Sequence, residues 1–182
     1  IGCGRIGQAV ARRARGFNMR LLAFDVAPAA EAKQLGIEFV SLDELLGESD
    51  FISLHAALTP ENRKLIGEAQ FRRMKPGAYF INAARGALVD EDALVTALQQ
   101  GWIAGAAVDA FTVEPLAADH PLRSAPNILL APHQASFARE TGERVSLTAA
   151  QAIVDWLNGC QPHFVVDRGV FNSPALRWKT RA

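Results

Sequence analysis

Three polar residues stand out because each follows a short apolar run that ends in a turn-like segment. They are Arg85 in Asn82-Ala83-Ala84-Arg85-Gly86, Glu114 beyond Val108-Asp109-Ala110-Phe111, and His133 directly after Ala131-Pro132. Together they form a coherent set for chemistry at a carbonyl. Hydride addition to a keto carbon leaves charge on oxygen and calls for a proton donor that titrates near neutrality, which is the character of histidine. A carboxylate beside an imidazole favours its protonated form and fixes its orientation. An arginine fork can hold a carboxylate by two bonds while its charge polarises the adjacent carbonyl. The set suits a 2-oxo acid if one rim gathers all three. Taken singly, Arg85 also reads as a salt-bridge residue, Glu114 as a turn residue before Pro115, and His133 as the end of a strand.

A second constellation points to a dinucleotide. Gly2-Cys3-Gly4-Arg5-Ile6-Gly7 is a G-x-G-x-x-G ahead of a helical pattern. Its first glycine serves a tight turn, its second lets a pyrophosphate approach the backbone, and its third permits close helix packing. Asp25 ends the next apolar run, 18 residues after Gly7. A carboxylate there accepts hydrogen bonds from ribose hydroxyls and repels a 2′-phosphate, and no arginine follows closely, so NAD is favoured over NADP. The alternative for Asp25 is a strand end at a turn.

Such residues need a sheet to present them, and the hydrophobic pattern supplies one. Short apolar runs at 19–25, 37–40, 51–55, 78–82, 105–110 and 128–131 read as strands, several of them apolar throughout, as strands covered on both faces should be. Amphipathic stretches at 7–14, 29–35, 42–46, 68–73, 91–100 and about 139–157 read as helices. The alternation predicts a parallel sheet flanked by helices, with polar residues just past the carboxyl ends of the strands, where such sheets bind ligands. Ser41 and Glu44 fit a capping box, while Gly101 and Gly159 fit helix stops. The last helix would place Val145, Ala149, Ala152, Ile153 and Trp156 on one face, and the segment beyond it lacks clear periodicity.

Composition excludes several classes of partner. The 182 residues carry 19 Lys+Arg against 19 Asp+Glu, so there is no basic footprint for nucleic acid or an anionic membrane. The longest apolar stretches, such as 102–108, are far shorter than a membrane span. Two cysteines without metal-ligand spacing fit a reducing cytoplasm, and no histidine pair has the helical spacing of a zinc site. The expectation is no metal, no nucleic acid and no membrane.

Several motifs in order give the sequence a specific likeness. The glycine fingerprint and Asp25 are followed by Leu54-His55 with Leu58-Thr59, Met74-Lys75-Pro76-Gly77 leading to Ile81-Asn82, and Ala84-Arg85-Gly86 with Val89-Asp90. Val108-Asp109 with Glu114-Pro115 and then Pro132-His133 complete the series. From Gly2 to about Gly159 the chain resembles the NAD-dependent D-2-hydroxyacid dehydrogenase family. That resemblance implies an α/β fold with a doubly wound parallel sheet, a Rossmann-type NAD-binding domain over 1–159, and an extension at 160–182. It implies NAD as cofactor, a small 2-oxo/2-hydroxy acid as substrate, and a homodimer. By the same likeness Arg85 binds substrate, Glu114 orients and charges the imidazole, and His133 is the acid/base. Arg5 and Ile6 meet the pyrophosphate, Asp109 holds the nicotinamide carboxamide, and Ala56, Ala83 and Ala84 line the cofactor through backbone atoms, beside Gly2, Gly4, Gly7 and Asp25.

The sequence departs from the family pattern at Ala57, where proline is usual, and at Gln134-Ala135-Ser136, where small residues usually follow the histidine more closely. The family's substrate domain precedes the glycine motif, whereas this sequence opens at Ile1 directly on it, so it is read as part of a longer polypeptide whose isolated piece would not turn over. An NAD-sensing interaction protein of the corepressor type is the alternative, since fold alone does not fix function.

Overall fold

A computed structural model describes residues 1–173 and residue 176, in two compact units, Ile1–Gln134 and Ala135–Ala182. Helix α1 (Arg5–Ala14) follows the glycine turn. Strand β1 (Leu22–Ala23), helix α2 (Ala30–Lys33) and strand β2 (Glu38–Phe39) come next. Then alternate α3 (Leu42–Glu48), β3 (Phe51–Leu54), α4 (Glu68–Arg73), β4 (Tyr79–Asn82), α5 (Glu91–Gln99), β5 (Gly105–Val108) and β6 (Ile128–Leu130). Every strand pairing is parallel: β1 with β2, and β3, β4, β5, β6 side by side.

Ile1 and Gly2 join the two sheets. The Ile1 amino group donates to Ser53 O at 2.9 Å and the His55 N–H donates to Ile1 O at 2.7 Å, the slanted bonding of a parallel neighbour opposite Leu54. On the other side the Gly2 N–H donates to Phe24 O at 2.8 Å. The order across the molecule is therefore β2, β1, Ile1–Gly2, β3, β4, β5, β6, and it reverses direction at Gly2. That reversal creates the crevice where open α/β sheets bind ligands.

Local chemistry explains the elements. Ser41 Oγ accepts the Glu44 N–H at 3.2 Å and Asp90 Oδ1 accepts the Ala93 N–H at 3.3 Å, so both α3 and α5 begin on side-chain caps. Gly101, just past α5, takes φ +67°, the left-handed stop its position predicts. The main core packs Leu45 and Leu46 of α3, Phe71 of α4 and Leu94 and Leu98 of α5 against Ile52, Leu54 and Phe80 of the sheet.

One expectation needs correction. The run 19–25 forms a strand only over Leu22–Ala23, the residues paired with β2, and between it and β3 lies a groove of about 970 Å³ lined by Val10, Ala14, Leu22 and Ile52. Within Ile1–Gln134, Phe51, Tyr79 and Leu129 are exposed while their neighbours in sequence, Ile52 and Phe80, are buried. Helix α6 (Arg139–Leu157) falls in the second unit. It ends two residues before Gly159, which takes φ +75°, and its Val145, Ile153 and Trp156 are exposed. Pro174 and the basic end 177–181 lie outside the described residues.

Candidate active site

The glycine turn is dictated by contacts at two of its three glycines. Gly2 has φ +84°, and a Cβ there would meet Ala56 N at 2.4 Å, so no side chain fits between this turn and the loop after β3. A Cβ on Gly7 would meet Gly2 O at 2.3 Å, which lets α1 press against the turn. Gly4 differs, because a Cβ there would meet nothing within 4 Å. It is the residue before α1, whose first turn has neither a side-chain cap nor an acidic residue. The N–H groups of that turn face outward with the positive end of the helix dipole, an arrangement that suits a phosphate group. Arg5 and Ile6, in the same turn, are both exposed.

Asp25 stands just past β1 and holds the turn in place. Its Oδ2 accepts the Cys3 N–H at 2.6 Å and its Oδ1 accepts the Ala27 N–H at 2.8 Å. Each oxygen keeps a further lone pair for a hydroxyl donor. At Ala57, where proline would have stiffened the loop, Asn62 does so instead: its Nδ2 donates to Ala57 O at 2.7 Å and its Oδ1 accepts the Thr59 N–H at 2.8 Å.

Arg85 is presented by a turn built on Asn82, whose side chain is 1% exposed. Asn82 Oδ1 accepts the Ala84 N–H at 3.0 Å, and its Nδ2 donates to Arg85 O at 3.1 Å. A buried amide satisfied at both ends is a rigid support. Ala84 is buried beneath the turn, Ala83 is exposed, and the Arg85 guanidinium donates to Ala84 O at 2.7 Å. Gly86 fastens this turn to the loop after β5, since a Cβ there would lie 1.9 Å from the Phe111 carbonyl carbon.

Glu114 and His133 meet directly. Glu114 Oε2 lies 2.8 Å from His133 Nδ1, and Glu114 Oε1 accepts the Phe111 N–H at 2.9 Å. The hydrogen bond with His133, the Phe111 N–H and the nearby Arg85 charge hold the Glu114 carboxyl below the usual carboxylate range. The Glu114–Pro115 peptide is cis. His133 itself takes φ +56°, and the next residue is tethered by Asp109, whose Oδ1 accepts the Gln134 N–H at 2.7 Å. The Asp109 carboxylate thus also serves the backbone beside His133, a contact the sequence did not suggest. With Glu114 bonded at Nδ1, Nε2 is the ring nitrogen left to exchange a proton with a ligand.

A family model for the NAD binding domain of D-isomer specific 2-hydroxyacid dehydrogenases matches residues 1–135. The chain belongs to this family. Within the family it is similar to a glyoxylate reductase of Korarchaeum cryptofilum, 47% identical over 93% of this chain and 52% of that protein. A glyoxylate reductase of Aeropyrum pernix is 46% identical, over 93% of this chain and 51% of its own length. Among solved structures, a D-lactate dehydrogenase with NAD+ from Lactobacillus jensenii superposes with a TM-score of 0.84 at 35% identity, covering 92% of this chain and 54% of that one. The chain spans about half the length of the curated relatives it matches. NAD is the cofactor of this domain family, and the open approach over Gly4, the uncapped first turn of α1 and the Asp25 carboxylate fit it. The fold is the doubly wound parallel sheet that the resemblance implies.

Two supporting residues escaped the sequence reading as site residues. Asn82 was visible only as a motif position, although an asparagine three residues before an arginine at a strand end is a turn signal. Glu91 begins a helix, and its partner, the Thr112 N–H, is 21 residues away and gives no local signature.

Proposed function

We propose that the whole protein interconverts a D-2-hydroxy acid and its 2-oxo acid with NAD(H), glyoxylate being the first substrate to try because the curated relatives cited above are glyoxylate reductases. The observation that carries this reading is the Glu114–His133 contact at 2.8 Å, within reach of the Arg85 charge. NADH, when bound, supplies the hydride, and NAD+ accepts it in the reverse direction. Arg85 binds the substrate carboxylate and polarises the neighbouring carbonyl. His133 donates the proton that the developing alkoxide requires and takes it back in oxidation. Glu114 orients the imidazole through Nδ1. The cofactor is held by Gly2, Gly4, Arg5, Ile6 and Gly7 at the pyrophosphate, Asp25 at the ribose, Ala56, Ala83 and Ala84 along the crevice, and Asp109 at the carboxamide.

The same reading takes residues 1–159 as the nucleotide-binding domain with 160–182 as its extension, and places the protein in the cytoplasm as a homodimer without nucleic acid or membrane partners. No helix among the described residues is long and apolar enough to cross a membrane, and none of their His, Cys, Asp and Glu side chains cluster as a metal site. The whole protein should oxidise NADH when given glyoxylate, followed by loss of NADH absorbance. His133→Gln should lower kcat by about 10²–10⁴. Near-normal turnover by that variant would falsify the acid/base role, and tight NADH binding without turnover on any 2-oxo acid would favour a sensing role.

A further inference from the structure

Glu91 lies outside the set just described, in the first turn of α5, where a carboxylate usually faces the helix N–H groups or water. Here the side chain is only 15% exposed and turns toward another loop. Its Oε1 accepts the Thr112 N–H at 2.7 Å, and its Oε2 lies 3.4 Å from His120 Nε2. His120 Nδ1 accepts the Leu122 N–H at 3.3 Å, which leaves the ring proton of the neutral tautomer on Nε2, facing Glu91. One carboxylate therefore grips residues 112 and 120, the two ends of the segment that carries Glu114.

The neighbouring amide completes the arrangement. The Phe111 N–H donates to Glu114 Oε1 at 2.9 Å, while Glu114 Oε2 contacts His133. Two successive N–H groups are thus held by two carboxylates, one from α5 and one from the loop itself. Gly86 backs the same peptide, with room for no side chain. A loop fastened at consecutive amides cannot swing its side chains independently, so the direction of the Glu114 carboxylate depends on where Glu91 holds Thr112.

We infer that Glu91 is a positioning residue, which through the Thr112 N–H and His120 sets the loop that aims Glu114 at His133. The kinetic part of this inference rests on the function proposed above. In the whole protein Glu91→Ala should lower kcat with glyoxylate about tenfold to a hundredfold, the scale of a small misplacement, while leaving NADH affinity nearly unchanged. Glu91→Gln keeps an acceptor for Thr112 and should recover most of the loss. In a Glu114→Gln background Glu91→Ala should cost little more, because its effect passes through residue 114. Full additivity of the two losses, or wild-type kcat in Glu91→Ala, overturns the inference.

Amide hydrogen exchange provides an arm that needs no turnover. Glu91→Ala should speed exchange at both Thr112 and Phe111 by at least about tenfold, a change a purely local contact would confine to Thr112. Unchanged protection at Phe111 overturns the inference even if the protein reduces no 2-oxo acid, a result that would count separately against the proposed function. If Glu91→Ala does not fold, the same exchange comparison is made with Glu91→Gln, for which Phe111 should stay protected; its loss there would overturn the inference.

Discussion

Gly4 and Gly86 show how differently two glycines of one site can be constrained. At Gly86 an added methyl would strike the backbone of Phe111, so Gly86→Ala should cost about 3 kcal/mol in a denaturant titration. At Gly4 the same methyl meets nothing of the protein, so Gly4→Ala should leave the unfolding midpoint unchanged yet weaken NAD binding at least about tenfold by calorimetry, because it fills the approach to the helix N-terminus. Equal affinity in that variant would place the pyrophosphate elsewhere. His55 makes a separate prediction. Burial pushes its imidazole down to about 4 from the ordinary 6.5, and its Nε2 lies 3.0 Å from Ser53 Oγ. Between those values the unfolded chain takes up a proton that the folded chain refuses, so stability is full above about pH 6.5 and falls as pH drops toward 4. Urea midpoints measured across that window should decline in the wild type and flatten in His55→Gln. The residues that touch the proposed ligands were legible because catalytic types sit next to glycine and proline signals. Asn82 and Glu91 were less so, because a supporting side chain is defined by the backbone group it meets, and Thr112 is 21 residues from Glu91.

At the scale of elements, the alternation of apolar runs with amphipathic stretches was enough to locate the six strands of the described residues and the helices between them, since parallel strands and crossover helices differ in period. Capping was legible too. Ser41→Ala removes the bond to Glu44 N–H and should destabilise unit Ile1–Gln134 by about 1 kcal/mol, with α3 fraying first in hydrogen exchange. An unchanged midpoint would show that packing of Leu45 and Leu46 alone fixes the start of that helix. Strand lengths and coverage were not legible. Apolar residues on successive positions, as in Phe51-Ile52 and Tyr79-Phe80, look the same whether one face of a sheet or both are covered, and only the neighbours decide. The same holds for Leu22–Ala23, where the pairing with β2 takes two residues of a run long enough for seven.

Across the whole molecule, the equal numbers of cationic and anionic side chains leave recognition to local geometry at the crevice. A nucleotide that binds the folded chain and not the unfolded one raises the unfolding free energy by about 2.7 kcal/mol at a concentration one hundred times its dissociation constant. NAD should therefore raise the melting temperature in a thermal scan, whereas NADP at equal concentration should raise it much less, because the Asp25 carboxylate opposes a 2′-phosphate. Equal shifts for the two would remove Asp25 from the ribose.

The groove between β1 and β3 has a further consequence. Its walls are two strand margins whose peptide groups point toward each other, joined at one end by Ile1 and Gly2 and floored by aliphatic side chains. A seam of that kind works like a zip with one side of each half exposed: an extended aliphatic strand laid into it would be hydrogen-bonded to left and right at once.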